Sequence, residues 1–314
     1  MLRYIYLFLL AFMTISHAKE LTIITPPADD GHAVNARILA KYLQKHSSDI
    51  TSVTFKAMTG AGGIVAANYI YNIAPKDGWT IGTLFKKIPL VGAVGGDNIK
   101  FDPTKFVWLG SAVDGRKDAV LLISNRKPND DPLIIGFDSP AAAEPMRFIS
   151  AALGSNVKVV TGYKSPNEVK MALERNEIDA LVNSLVGLKT SSPGLLSSNQ
   201  ISVLLQFGNG MHRHLEFPVV PTLAESLHDA HLLESLKVAE MQYLLVRPFV
   251  APPGIPLDRE IELRKAFASA VNDPEYVAEA KAVGIDANLI SWQDSEDAVK
   301  LLANSPREIL DQFR

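Results

Sequence analysis

The stretch "MTGAGGIVAANYIYNIAPKDGWTIG", Met58–Gly82, decides how this chain is read. It opens on a cluster of small residues, Thr59, Gly60, Ala61, Gly62 and Gly63. It then runs into an apolar pattern of helical spacing that stops before Pro75. A β-branched segment, "TSVTFKAM" (Thr51–Met58), precedes the cluster, and "WTIGTLF" (Trp79–Phe85) follows the helix. Strand, glycine-rich loop, helix, strand is the order of a β-loop-α-β unit and argues for a parallel sheet. Glycines tolerate left-handed backbone and let other groups come close. The first N–H groups of a helix lack intrahelical acceptors and lie at the positive end of the dipole, so such a loop can hold an anion. No Gly-Lys-Ser/Thr follows, which excludes a phosphate-binding P-loop. The spacing of Gly60, Gly62 and Gly63 also fails the dinucleotide fingerprint. Taken alone, the cluster reads equally as a tight turn that packs a helix onto a sheet.

The same unit extends in both directions. Upstream, "LTIIT" (Leu21–Thr25) is a strand that stops at Pro26-Pro27. The loop "PPADDGH" follows, then a helix with Val34, Ile38, Leu39, Tyr42 and Leu43 on one face. Downstream, "FVWLGSA" and "DAVLLIS" read as strands and "NRKPNDDP" (Asn125–Pro132) as a polar linker. A second α/β unit begins with the strand "LIIGF", the loop "DSPAAAEP" and the helix "MRFISAAL". It continues through "VKVVTGY", the loop and helix "KSPNEVKMALERNE", "IDALVNSLVG" and "ISVLLQF". Ser165 with Glu168 three residues on has the form of a helix-capping box. The chain then returns through "EMQYLLVRPFV" (Glu240–Val250), read as a strand, and two C-terminal helices. We therefore expect an α/β protein of two lobes, residues 19–125 plus 225–314 as the first domain and 126–224 as the second. Two chain crossings then leave a ligand cleft between strand carboxyl ends and helix N-termini.

Composition narrows the function. The 314 residues are 47% hydrophobic, enough for two domains, and the formal charge is -3 with no basic tract, which argues against nucleic acid. The chain has no cysteine, so disulfides, cysteine-ligated zinc and cysteine nucleophiles are excluded. Histidines are scattered. His212 and His214 read as loop or strand residues, and neither a metal nor a cofactor is expected. At the N-terminus, Arg3, an apolar run from Tyr4 to Met13 and Ser16-His17-Ala18 form a secretory signal, residues 1–18, cut after Ala18.

Four stretches carry a resemblance to a known family. They are "GAGGIVAANYIYNIAPKDGWTIG", "TGYKSPNEVKMALERNEIDALVNS", "FPVVPTLAE" and "RPFVAPPGIPLDREIELRKAFASAVNDPEYVAEAKAVGI". In this order they resemble the hallmark blocks of the solute-binding receptors of tripartite tricarboxylate transporters, the Bug-type periplasmic receptors. The resemblance implies a type II-like periplasmic-binding-protein fold and a small organic carboxylate closed between the lobes. It also implies a monomer that delivers its ligand to the permease subunits of a secondary transporter, with no enzymatic activity. Carried onto this sequence, the first-lobe contacts are Pro27, Asp29 and Asp30 with Thr59, Gly60, Ala61, Gly62 and Gly63. The second-lobe contacts are Ser139, Pro140 and Ala141 with Tyr163, Lys164 and Ser165. Asn183 and Ser184 close the floor. Lys86, just after the third strand, can add positive charge, although Lys86-Lys87 reads equally as a solvated loop end. The chain departs from the family pattern at Ala28-Asp29-Asp30, where glycines are common, at Ala33, where an Asp is common, and at Ser165, where a Gly is common. Two acids at the loop repel a carboxylate unless they point away or meet a cationic group on the ligand. Two alternatives stay open. One is an exported hydrolase, for which His32 beside Asp29 or Asp30 is the one acid-histidine neighbourhood, without a G-x-S-x-G elbow. The other is a ligand-sensing receptor for a membrane signalling protein.

Overall fold

A computed structural model describes residues 19–26, 31–129, 131–138, 145–154, 157–163, 165–191, 194–198, 200–208 and 212–313. The expected signal segment lies outside them, as do Pro27, Asp29, Asp30, Ser139, Pro140, Ala141 and Lys164.

Two mixed five-stranded sheets organise the chain. The first contains β1 (Lys19–Thr25), β2 (Ile50–Ala57), β3 (Thr80–Thr83), β4 (Val107–Ser111) and β10 (Pro248–Ala251), in the order β2-β1-β3-β10-β4. The second contains β5 (Val120–Ser124), β6 (Leu133–Phe137), β7 (Val157–Thr161), β8 (Ala180–Ser184) and β9 (Ser202–Phe207), in the order β7-β6-β8-β5-β9. The two orders are the same pattern used twice. In each, parallel strands form one side, and one antiparallel strand is inserted next to last. β10 runs antiparallel to β3 and β4, and β5 runs antiparallel to β8 and β9. The wholly parallel sheet expected from the sequence is thus corrected by one strand in each lobe. β5 was expected in the first domain, before a boundary at 126, yet it hydrogen-bonds along its length in the second sheet.

The helices cover both faces of the first sheet. α1 (Gly31–His46), α8 (Leu257–Val271) and α9 (Pro274–Ala282) bury Leu39, Leu43, Phe267 and Tyr276 against Leu21, Ile23 and Phe249. α2 (Ile64–Asn72), α3 (Ile88–Val94) and α10 (Trp292–Ala303) cover the other face at Ile24, Trp108 and Val250. Because β1 is buried on both faces, "LTIIT" is nearly continuously apolar rather than alternating. Complete burial of each such side chain contributes about 1.5–3 kcal/mol. In the second lobe, α4 (Met146–Leu153) packs Phe148 and Ile149 on Leu133 and Ile135. α5 (Pro166–Glu174) and α6 (Leu185–Ser191) pack on the opposite side with Leu173, Leu181 and Leu188.

The segment read as one strand over Glu240–Val250 is two elements. α7 (Ala230–Leu244) occupies the first part and β10 the last. Glu240, Met241, Gln242 and Leu244 are good helix formers, and the Asp229 carboxylate caps the helix by accepting the Leu232 N–H at 2.9 Å. Pro248 then begins the strand, where its missing N–H does least harm. The last expected helix is likewise split by Pro306 into α10 and the short α11 (Arg307–Leu310).

Candidate functional site

Topology fixes which loops can meet. β1, β2 and β3 are parallel, so the loops after Thr25, Ala57 and Thr83 leave one edge of the first sheet. β10 runs the other way, which puts its start, and Arg247 before it, at that same carboxyl edge. Leu84 donates its N–H to the Pro248 carbonyl there at 3.1 Å. The second sheet repeats the arrangement with Asp138 after β6, Gly162 and Tyr163 after β7 and Ser184 ending β8. Asp118 and Ala119 stand before the antiparallel β5, and Leu185 donates to the Ala119 carbonyl at 2.7 Å. Each crossing leaves one carboxyl edge and enters the other, through residues 112–119 outward and through α7 on return. The two edges therefore face each other.

On the first edge, the glycine cluster has an unusual backbone. Four successive residues have positive φ: Gly60 at 128°, Ala61 at 46°, Gly62 at 61° and Gly63 at 90°. Such a run strongly favours glycine, and Ala61 carries the strain that remains. A single turn of 3-10 helix, Ala61–Gly63, leads into α2, whose N-terminus has no side-chain cap. A Cβ on Gly63 would stand 2.7 Å from the Phe85 ring, whereas a Cβ on Gly62 would meet nothing within 4 Å. One glycine is needed for packing, and the other faces open space. From Phe85 the wall continues to His32, edge-on at 4.7 Å between ring centroids. His32 in turn lies 2.9 and 3.1 Å, through its two ring nitrogens, from Arg247 Nη1. Lys86 lies with its ammonium 4.0 Å above the Tyr243 ring of α7, reaching across to the helix that returns from the second lobe.

On the second edge, Ser165 caps α5 by accepting the Glu168 N–H at 3.3 Å. Tyr163 is half-buried, its ring lying 3.4 Å from where a Cβ on Gly136 would be, beside Val169 and Ile178. Asn183 accepts the Ser184 N–H at 2.8 Å and lines a small cavity of about 110 Å³ with Phe137, Asp138 and Val169. Ser184 caps α6, accepting the Gly187 N–H at 3.0 Å.

A cavity of about 200 Å³ spans both lobes beside the crossings. Arg247, Val246 and Ile285 line it from the first lobe, and Asp118, Ser184 and Val186 from the second side. Burial pushes the Asp118 carboxyl up from the usual carboxylate range. N–H groups of Val186 and Ala119 and the Ser184 hydroxyl oppose that shift. Arg247 and Asp118 are absent from the residues expected by sequence. A broader depression of about 570 Å³ around Trp79 and Arg259 lies at the amino ends of β1 and β3, away from both carboxyl edges. Among the described residues no group of acids and histidines is arranged to hold a metal ion, and no helix is long and apolar enough to cross a membrane.

The arrangement has known counterparts in structure. No protein-family model and no curated sequence matches the chain. Among solved structures it is similar to a TctC solute-binding protein from Polaromonas, at 14% identity and a TM-score of 0.69, over 93% of this chain and 98% of that one. It is also similar to the periplasmic binding protein BugD, at 18% identity and a TM-score of 0.59, over 94% and 96% of the two chains. MatC from Rhodopseudomonas palustris with bound malate matches at 16% identity and a TM-score of 0.59, over 93% of this chain and 99% of MatC. The chain has the two-lobed fold of the TctC and Bug-type periplasmic binding proteins.

Proposed function

We propose that this protein is a periplasmic solute-binding receptor that captures a small organic carboxylate between its lobes and delivers it to a membrane transporter of the tripartite tricarboxylate kind. The observation that carries the reading is the facing pair of carboxyl edges. One bears a run of left-handed backbone at an uncapped helix start, and the other bears two helix N-termini, with a cavity spanning both. Helix starts and backbone N–H groups suit carboxylate oxygens, and a two-lobed cleft suits reversible capture rather than chemistry. The malate held by MatC, a protein of the same fold, sets the size and charge class of ligand to try first. In this reading residues 1–18 direct export and are removed, the chain works as a monomer without catalysis, and permease subunits are its partners.

The test is native mass spectrometry of protein recovered from the periplasm, followed by calorimetric titration with mono-, di- and tricarboxylates. The expected results are an N-terminus at Lys19, a co-purified small acid, and binding with compaction in solution scattering. An N-terminus at Met1 refutes export. A chain that binds no carboxylate refutes the receptor.

A further inference from the structure

The stretch "FPVVPTLAE" (Phe217–Glu225) has no part in the cleft. With the residues before it, it forms the loop after β9, and that loop holds apolar side chains out to solvent from a fixed base. Leu215 is 94% and Val219 84% exposed, more than any other large apolar side chain among the described residues. They sit in two adjoining turns. The Phe217 N–H donates to the His214 carbonyl at 2.9 Å, and the Val220 N–H donates to the Phe217 carbonyl at 3.2 Å. Both turns are fastened from beneath by the buried Gln206 amide, which accepts the His214 N–H and donates to the Phe217 and Val220 carbonyls. The Gln206 backbone adds two more bonds, to the Pro221 carbonyl at 3.1 Å and from the Leu223 N–H at 2.8 Å. Arg213 Nη1 donates to the Pro218 carbonyl at 2.9 Å, and Phe217 packs inward on the Leu185 and Leu188 cluster. A lone exposed aliphatic side chain is ordinary. Two on adjoining turns, in a loop whose shape a buried amide fixes, make a preformed apolar tip.

We propose that this tip docks the protein on its membrane transporter, with Leu215 and Val219 entering an apolar pocket on the periplasmic side of a permease subunit. The inference rests on the receptor reading above and adds where the partner binds. Charge selects this kind of partner. Both ionised side chains of the loop are already paired, Arg213 with Glu225 and Glu216 with Lys189. A neutral tip offers nothing to an anionic lipid surface, which favours clusters of Lys and Arg. It also enters an apolar pocket without stripping water from an unpaired charge. Size argues against a second copy of this chain, because two side chains and their turns fall far short of the roughly 20–30 residues a side that a stable interface uses. A small contact suits a partner that is met and released in each transport cycle, and a loop fixed beforehand loses little freedom on docking. Neither side chain lines the cavity between the lobes, so docking leaves that cavity open.

The test places the photoreactive residue p-benzoylphenylalanine at position 215, and separately at 219, of the full chain in its native host, with exposed Ile73 replaced in the same way as the control. Irradiated cells are expected to give an adduct with a polytopic permease subunit, identified by mass spectrometry, from 215 and 219 and not from 73. Leu215→Asp should lower the adduct yield from 219 by about ten-fold or more. Its melting midpoint should stay within about 2 °C of the parent, as for other surface substitutions. Its calorimetric affinity for malate, succinate and citrate should be unchanged. The docking site is refuted if neither position yields a permease adduct, or if Leu215→Asp leaves the yield from 219 as it was. Adducts formed only between two copies of the chain refute it in favour of self-association. Flotation with phosphatidylethanolamine–phosphatidylglycerol vesicles that Leu215→Asp abolishes refutes it in favour of lipid. In all these cases a chain that still binds a carboxylate remains a receptor. If no carboxylate binds, the receptor reading falls and takes this partner with it.

Discussion

Gly62→Val separates a ligand-binding loop from a packing turn. Gly62 has φ 61° and ψ 30°, in the left-handed helical region, where an L-residue costs roughly 1–2 kcal/mol and a β-branched one somewhat more. A Cβ there meets no atom within 4 Å, so no steric term adds to the backbone cost. A chain of this size should lose about 2–4 °C of melting temperature for each kcal/mol, and the variant should therefore fold with a modestly lower midpoint. The added side chain nevertheless stands in the open space where a ligand would approach the loop's N–H groups. Binding should fall by a hundred-fold or more. Gly62→Asn supplies the control, since Asn tolerates the left-handed region better and still adds bulk. Gly63→Val is the contrasting case. Its Cβ would press to 2.7 Å from Phe85, so folding itself should suffer. Thermal melts and calorimetry on the three variants read both quantities. If Gly62→Val binds ligand as the parent does, the left-handed run serves only to turn the chain into α2.

Other substitutions test the remaining parts. Ser165→Ala removes the cap on α5 and should cost about 0.5–2 kcal/mol in urea denaturation while leaving affinity unchanged, and a loss of affinity would contradict a purely capping role. Tyr163→Phe keeps the ring against Gly136 and removes only the hydroxyl; a ten-fold or larger loss of binding with an unchanged melt marks that hydroxyl as a ligand donor, and unchanged binding leaves Tyr163 as packing. Asp273 is held down to about 2, chiefly by His46 and next by Lys45. A carboxyl lowered in the folded state stabilises above its ordinary value near 3.8, and that stability disappears as pH falls toward about 2. The difference in urea midpoint between the parent and Asp273→Asn should therefore shrink between pH 5 and pH 2.5, and a constant difference would exclude the linkage. Gln206 is fully buried and fastens the loop after β9, accepting the His214 N–H at 2.6 Å and donating to the Phe217 and Val220 carbonyls at 2.9 and 2.6 Å. Gln206→Leu leaves those groups unsatisfied and should cost about 2–4 kcal/mol, checked by denaturant titration.

The sequence made the glycine loop legible because its backbone requirement is local. Successive left-handed residues call for glycine, and the letters show it. Ser165 was legible for the same reason, as a cap three residues before its partner. Arg247 was not. Its place at the cleft edge depends on β10 running antiparallel, which depends on the chain arriving from the other lobe, and no short window of sequence carries that. Reading Glu240–Val250 as one strand hid it further, since it placed Arg247 inside an element instead of at its start. Asp118 was passed over because it begins an apolar run. Its hydrogen-bond donors, the Val186 N–H and the Ser184 hydroxyl, are remote in sequence. By contrast, α9 was missed although its signal is local, with Asp273 as the cap and Pro274 at the first helical position.

The two crossings are the part of the fold on which closure of the proposed receptor would depend. They are not independent strings. Ala112 donates its N–H to the Arg247 carbonyl at 2.9 Å, Arg247 donates its own N–H to Ser111 Oγ at 3.1 Å, and Asp114 forms an antiparallel bridge with Leu245. The crossings therefore lie side by side as a short hydrogen-bonded ribbon, the expected place for a hinge on the receptor reading. A third connection is non-covalent. Arg147 of α4 places its guanidinium 4.6 Å from the Phe313 ring and donates to Gln312 Oε1 at 3.1 Å, tying the C-terminus, which follows first-lobe helix α10, to the second lobe. Groups on this ribbon would move little if the lobes rotate about it. The Thr59–Gly63 loop leads away from that ribbon along a wall through Phe85 and His32. On the proposed receptor reading, ligand contacts made from this loop would change with rotation and so convert occupancy into closure. A ligand held at the ribbon but too short to reach the loop should bind without closing the lobes, because only differential contact between open and closed states shifts that equilibrium.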